Sequence, residues 1–297
     1  MGAGLEFLDE PGGFLRAARD LFSAEPVEAT LVVTVSDRMR REQEAGLPRP
    51  GTFPVWWVVE RDAIGRVIGA GMRTAPFVPH PVYLMRMRGE GARRLARVLH
   101  DRGEVVDAVS GALPAAEAFA DETARLRGLR HRVAVHTRLF FLADLQAPAP
   151  PPGRPRLARA DEVDVVTEWY VAFTRDAAEQ AGRDQPHSVE GLDRDAMLRR
   201  IEDDTVWVWE DGDGAVVHLT GASRPMFGVS RIGPVYTPPE RRGRGYAGAT
   251  VAAVSRVLLD EGAGVCLFTD QANPVSNALY ERLGFRPVVD QAQIVLE

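Results

Sequence analysis

Two segments near the C-terminus carry residue types at spacings that could do chemistry. The first, residues 235–248, runs Val-Tyr-Thr-Pro-Pro-Glu-Arg-Arg-Gly-Arg-Gly-Tyr-Ala-Gly. It reads as the end of a strand, a turn rich in glycine and arginine, and the start of a helix. A helix start presents unpaired backbone N–H groups and a partial positive charge. Gly243 and Gly245 let the backbone approach a ligand with no Cβ in the way, and Arg242 and Arg244 add positive charge. Together these make a cradle for a pyrophosphate. Two familiar phosphate loops are excluded. The P-loop needs a lysine, and the chain has none. Residues 243–248 fit the letters of the dinucleotide fingerprint, but they lie late in the domain and lack the acidic residue expected at the end of a following strand.

The second segment, residues 269–285, follows the next strand and places Ser276, Tyr280 and Gly284 four apart on one helix face. With both segments in view the chain resembles the GCN5-related N-acetyltransferase (GNAT) superfamily. That family's motif Arg/Gln-x-x-Gly-x-Gly/Ala stands here as Arg242, Gly245 and Ala247. Its Asn, a Tyr seven later, and a Gly-Phe pair stand as Asn273, Tyr280, Gly284 and Phe285. The resemblance covers residues 156–297. It implies an acyl-CoA donor, usually acetyl-CoA, and a primary amine as acceptor, with no metal. It implies that the strand before the turn splays from its neighbour, so that Val235, Tyr236 and Thr237 bind the pantetheine arm. Arg242, Gly243, Arg244, Gly245, Tyr246 and Ala247 would then take the pyrophosphate, and Asn273 the pantetheine or the helix start. Gly233-Pro234 suits a bulge or sheet edge, because proline donates no ladder hydrogen bond.

Tyr280 matches the family's general acid. Amine attack on a thioester expels a thiolate, and a phenol of pKa about 10 can supply its proton. The alternative is a tyrosine that packs under the cofactor. The general base stays open: Glu168, Asp176, Glu179 and Glu210 are candidates, each read first as a solvated surface charge. His218 reads as structural, and Cys266 as a small core residue.

The elements that must position these residues alternate strand and helix. In the C-terminal half the pattern predicts strands at 156–160, 205–210, 215–222, 230–237, 265–269 and 286–296. It predicts helices after Asp161, which can cap the first, and at 189–202, 245–261 and 274–283. The N-terminal half shows the same order: helices at 13–22 and 26–44, strands at 54–60, 67–74 and 82–87, helix 90–102, strand 105–110, helix 114–126 and strand 133–142. Between them, residues 146–155 are half proline, which favours an extended strap or tether. The fold class is therefore α/β, as two tandem GNAT-like domains, each a mixed, partly splayed sheet flanked by helices. The divisions are 1–145, linker 146–155, and 156–297. The N-terminal copy lacks the Arg-x-x-Gly-x-Gly/Ala cradle after its strand near Met85 and carries Phe119 but no tyrosine on the later helix. It reads as degenerate and without a CoA site.

Composition bounds the rest. The chain has 297 residues, 45% hydrophobic, enough for two cored domains. Its net charge of −6 argues against general nucleic-acid binding. All 36 basic residues are arginine, so no side-chain amine is available for acylation. Cys266 is the single cysteine, which excludes an internal disulfide and a cysteine metal cluster. No apolar run approaches the ~20 residues of a membrane span, and residues 1–13 lack the apolar core of a secretion signal, so a cytoplasmic location is expected. The leading reading is transfer of an acetyl group from acetyl-CoA to a small-molecule amine, with neither nucleic acid nor membrane as partner. A non-catalytic acyl-CoA-binding or regulatory protein is an alternative, and a protein lysine or N-terminal acetyltransferase another. Trp169, Tyr170, Trp207 and Trp209 could line an acceptor pocket or belong to the core.

Overall fold

The computed structural model describes residues 4–47, 53–180 and 193–297. They divide into two compact units, one running through Arg138 and including Val289–Glu297, the other spanning Leu139–Val288.

The first unit contains β1 (Gly4–Leu8), α1 (Pro11–Ala17), α2 (Arg19–Ala24), α3 (Pro26–Glu44), β2 (Trp56–Arg61), β3 (Val67–Arg73), β4 (Val82–Leu84), α4 (Gly89–Asp101), β5 (Ala108–Ala112), α5 (Ala115–Arg127) and the start of β6 (His131–Leu142). Strands β1 to β4 form an antiparallel run, and β5 lies parallel to β4. Helix α4 turns a stripe of Ala92, Leu95, Ala96 and Leu99 onto a core with Val58, Leu84 and Phe119. The sequence pattern predicts no element before residue 13. The short alternation of Leu5 and Phe7 instead pairs with β2, and Phe7 stacks edge-on against Trp56 at 5.3 Å. The single helix expected at 13–22 is broken at Ala18, whose φ of −103° and ψ of 14° leave the helical region.

The second unit contains β7 (Arg154–Leu157), α6 (Val163–Gln180), α7 (Arg194–Glu202), β8 (Val206–Glu210), β9 (Val216–Ala222), β10 (Val229–Tyr236), α8 (Tyr246–Asp260), β11 (Gly264–Asp270), α9 (Pro274–Arg282) and the start of β12 (Phe285–Leu296). Strands β7 to β10 are antiparallel, and β11 runs parallel to β10. The expected helix 189–202 begins outside the described residues; its described part is α7. Asp161 is exposed, and the helix entry uses Glu162 instead, which accepts from Arg159 N–H at 2.8 Å. The proline-rich segment lies along this unit. Gln146 N–H donates to Leu283 C=O at 3.0 Å, Trp209 Nε1 donates to Pro152 C=O at 3.2 Å, and Pro155 sits in the edge strand β7.

The expected boundaries at 145 and 156 need correction, because two long strands divide between the units. Leu139–Leu142 at the end of β6 lies beside β11, where Phe140 and Leu142 join Val251, Leu267 and Phe285 in the second core. Conversely, Gln291–Val295 of β12 pairs antiparallel with Ala108–Ala112 of β5, and Ala292 and Ile294 are buried in the first core. Arg138 donates to both oxygens of Asp290 at 2.6 and 2.9 Å, and Gln291 Nε2 donates to Tyr83 Oη at 3.0 Å. Among the described residues, no helix is long and apolar enough to cross a membrane.

This division predicts the outcome of truncation. Deleting 289–297 should strip amide-exchange protection from α4, β5 and α5 while β11 and α8 keep theirs; uniform loss would contradict it. Ile294→Ala should cost the first unit about 2–5 kcal/mol. A fragment beginning at residue 156 lacks Phe140 and Leu142 and should be insoluble.

Candidate active site

Strands β10 and β11 pair from Val229↔Gly264 to Ile232↔Leu267, and there the ladder ends. On its other side β10 keeps its neighbour, with Val235↔Thr220 and Tyr236↔Leu219, after a bulge between Ile232 and Val235. The bulge contains Gly233, at φ +147°, and Pro234, which has no N–H to donate. Beyond Ile232 the two parallel strands therefore part, and a cleft of 390 Å³ opens at the wedge. Val235, Tyr236 and Thr237 line it from β10 and the residue that follows, Phe268–Asp270 from β11, and Asn273, Ser276 and Tyr280 from α9 and its cap.

The turn from β10 to α8 closes one end. Gly243 and Gly245 adopt φ of +76° and +85°, and the space where a Cβ would point is open at both. Any side chain would be strained there. Gly245 is the N-cap of α8 and no side chain caps the helix, so its first-turn amides suit an anion. Tyr246 and Ala247 follow on the cleft lining. The Tyr246 ring is buried against Trp209, 6.3 Å between centroids, so what this residue offers the cleft is its backbone. Arg244 is exposed, and its only hydrogen bond among the described residues is a long one of 3.5 Å to Glu240 C=O. Arg242 is held: Nη2 donates to Asp176 Oδ2 at 2.5 Å, Nε donates to Thr237 C=O at 3.0 Å, and the guanidinium lies 5.8 Å from the centre of the Tyr236 ring.

Asn273 caps α9, its Oδ1 accepting from Ser276 N–H at 3.1 Å. That cap fixes the helix carrying Tyr280, whose ring is 7% exposed and meets Phe285 edge-on at 5.9 Å. Burial pushes the Tyr280 phenol well above its ordinary range, so it keeps its proton throughout the working pH range. His218 is fully buried on β9, with Nδ1 2.7 Å from Thr237 Oγ1 and Nε2 2.8 Å from Thr220 Oγ1. Burial lowers its pKa to about 3, so the ring is neutral.

The base candidates separate. Glu168 is exposed. Glu210 bonds Arg156 at 2.7 Å and Arg154 at 3.1 Å, which hold its carboxyl below the ordinary range. The side chain of Glu179 falls outside the described residues. Asp176, expected as a solvated charge, is buried and faces the cleft beside Phe173 of the same helix. The spacing of three between 173 and 176 was the one signal in the sequence that could have paired them. Trp169 and Tyr170 pack on a core with Val166 and Tyr236, Trp207 packs on the α8 core, and none of the four aromatics lines the cleft. Cys266 is buried in β11.

The same place in the first unit is built differently. Strands β4 and β5 stay paired to Leu84↔Gly111, close to the start of α4. The N-cap Arg88 is extended, with φ −67°. The carboxyl of Glu60 on β2 is buried beneath this helix start, where a Cβ on Gly91 would collide with it.

Residues 220–294, which supply most of the cleft lining, match the family of FR47-like proteins. A Drosophila protein of solved structure superposes with a TM-score of 0.68 at 17% identity, over 100% of this chain and 99% of its own. A GCN5-related N-acetyltransferase from Sphaerobacter thermophilus gives 0.57 at 17% identity, over 98% and 94%. A tandem GNAT protein from the clavulanic acid biosynthesis pathway gives 0.56 at 18% identity, over 98% and 97%. The fold is that of the GCN5-related N-acetyltransferases, in tandem. No curated protein matches the chain in sequence. In GNAT terms, the parted strands, the open helix start and the buried tyrosine all fall in the second unit.

The neutral His218 gives a pH test. The unfolded chain takes up a proton near pH 6.5, whereas the folded ring resists until about 3. This contribution to stability is full above about pH 6.5 and falls as the pH drops toward 3, by on the order of 4 kcal/mol. His218→Gln should flatten that slope in melts between about pH 7 and about pH 4; parallel curves for the two proteins would contradict it.

Proposed function

We propose that the chain is an N-acyltransferase that moves an acetyl group from acetyl-CoA to the primary amine of a small molecule. One observation carries this reading: parted strands, an uncapped helix start and a buried protonated phenol line one cleft. The residues suit a CoA ester. The left-handed glycines leave the α8 amides open for a pyrophosphate. The edge of β10 from Val235 to Thr237, without a β11 partner, offers backbone groups to the amides of a pantetheine arm. The CoA ester supplies the acyl group as an activated thioester.

The chain's own residues do the remainder. The β10 edge and the α8 start orient the ester and keep water from its length. The attacking amine forms the new C–N bond while the C–S bond breaks and the sulfur leaves with the electron pair. Tyr280 holds the proton that the leaving sulfur takes, and the ammonium proton of the product passes to solvent or to a base on the acceptor side. Asp176 is not that base, since its carboxylate is engaged by Arg242, Arg175 and Tyr236.

Calorimetry with CoA tests the binding half. One site per chain is expected, and Gly245→Glu, which sets a carboxylate against the cradle, should abolish it. Two equivalent sites, or unchanged affinity in the variant, would refute the assignment. A screen of small amines for CoA release identifies the acceptor. With an acceptor in hand, Tyr280→Phe should lower kcat by about 10²-fold and leave CoA affinity nearly unchanged. Full turnover in that variant would reduce Tyr280 to packing.

A further inference from the structure

We propose that Asp176 is a positioning residue that sets the shape of the cofactor cradle through Arg242, and that Arg242 serves as a strut rather than as a phosphate contact. The inference rests on reading the cleft as an acyl-CoA site and assigns two of its residues.

A carboxylate beside an anion site is an anomaly, because it repels the ligand. Asp176 is 7% exposed and lines the cleft from α6. Both its oxygens are engaged. Oδ1 accepts from Arg175 at 3.0 Å, and Oδ2 accepts from Arg242 Nη2 at 2.5 Å and from Tyr236 Oη at 3.2 Å. Burial alone would raise its carboxyl, but these donors outweigh it and hold the group below the ordinary range. A carboxylate so satisfied neither repels phosphate strongly nor accepts a proton from an amine.

The other end of the contact explains what it holds. Arg242 opens the turn in which Gly243 and Gly245 are both left-handed. Such a turn loses much conformational freedom when it is ordered. Arg242 ties it at two points, to Asp176 through Nη2 and to Thr237 C=O through Nε. Thr237 is fixed in turn through its hydroxyl, which lies 2.7 Å from the neutral His218. A continuous hydrogen-bonded chain thus runs from α6 through the turn to β9, and the residues that would touch a CoA ester hang on it. With its guanidinium bonded to a carboxylate and a carbonyl, Arg242 leaves the phosphates to the α8 amides.

Three variants of the full chain test this, with CoA affinity read by calorimetry and turnover by CoA release. Asp176→Asn should weaken CoA binding by about tenfold, raising KM for acetyl-CoA while kcat at saturation is kept. Arg242→Lys keeps the charge but cannot make both bonds, and it should lose as much. Asp176→Asn with Arg242→Lys should be no worse than either alone. Tighter CoA binding in Asp176→Asn, or full affinity in Arg242→Lys, would show Arg242 to be a direct phosphate contact and overturn the strut. A collapse of kcat in Asp176→Asn with a lost pH limb would make Asp176 the base and overturn it too. A lowered Tm with unchanged CoA affinity would make the contact merely structural. If Asp176→Asn fails to fold, Arg242→Lys, at a half-exposed site, decides alone. Wild-type chain that takes up no CoA overturns the reading of the cleft itself, whereas wild type and variants binding equally overturn the strut only.

Discussion

The second unit is organised around one interruption in its sheet. Parallel strands β10 and β11 run together to Ile232↔Leu267 and then separate. Separating paired strands removes ladder hydrogen bonds, which is unfavourable unless the freed groups find other partners. Here the loss is limited by local sequence. Pro234 has no donor to strand, Gly233 takes a backbone angle closed to other residues, and the bulge shifts β10 against β9 without releasing it. The cleft, the exposed edge of Val235 to Thr237 and the open start of α8 all depend on this parting.

A second constraint is the burial of polar groups around that cleft. His218, Thr220, Thr237, Arg242, Asp176 and Tyr236 are linked in sequence by hydrogen bonds, and His218, Thr220 and Asp176 are buried. Low local polarity strengthens each bond and makes a missing partner costly, so the geometry is sharply specified. Desolvation explains why both His218 and Tyr280 hold their neutral forms. The first unit treats its helix start in the opposite way. Glu60, whose carboxyl pKa burial pushes up, lies beneath the start of α4 in a notch left by Gly69 and Gly91. A helix start that already faces a carboxyl of the protein is a poorer place for an external anion.

The two long strands impose a further condition. Each unit completes its core with residues that the chain order assigns to the other half: Leu139–Leu142 in the second, Val289–Leu296 in the first. Neither half of the sequence cut at the proline-rich segment contains a whole core. That segment accordingly runs as a strap along the second unit, tied by Gln146 and Pro152, and is no free tether.

What the sequence by itself determined was local. Glycine and arginine at 242–245, proline at 234, and asparagine and tyrosine seven apart at 273 and 280 announce a turn, a bulge and a capped helix, because backbone conformation and capping depend on near neighbours. Helix and strand periodicity placed α8, α9, β8 and β9 to within a residue or two. Tertiary structure decided the rest. Only the fold brings Asp176 to Arg242 across 66 positions, which turns an apparent surface charge into a buried anchor. The four aromatics proved to be core because pattern gives burial but not what lies opposite. The strand exchange was illegible for the same reason. Residues 289–297 alternate as any strand does, and alternation fixes which side chains point inward, whereas the partner strand is chosen by long-range pairing that no local window contains.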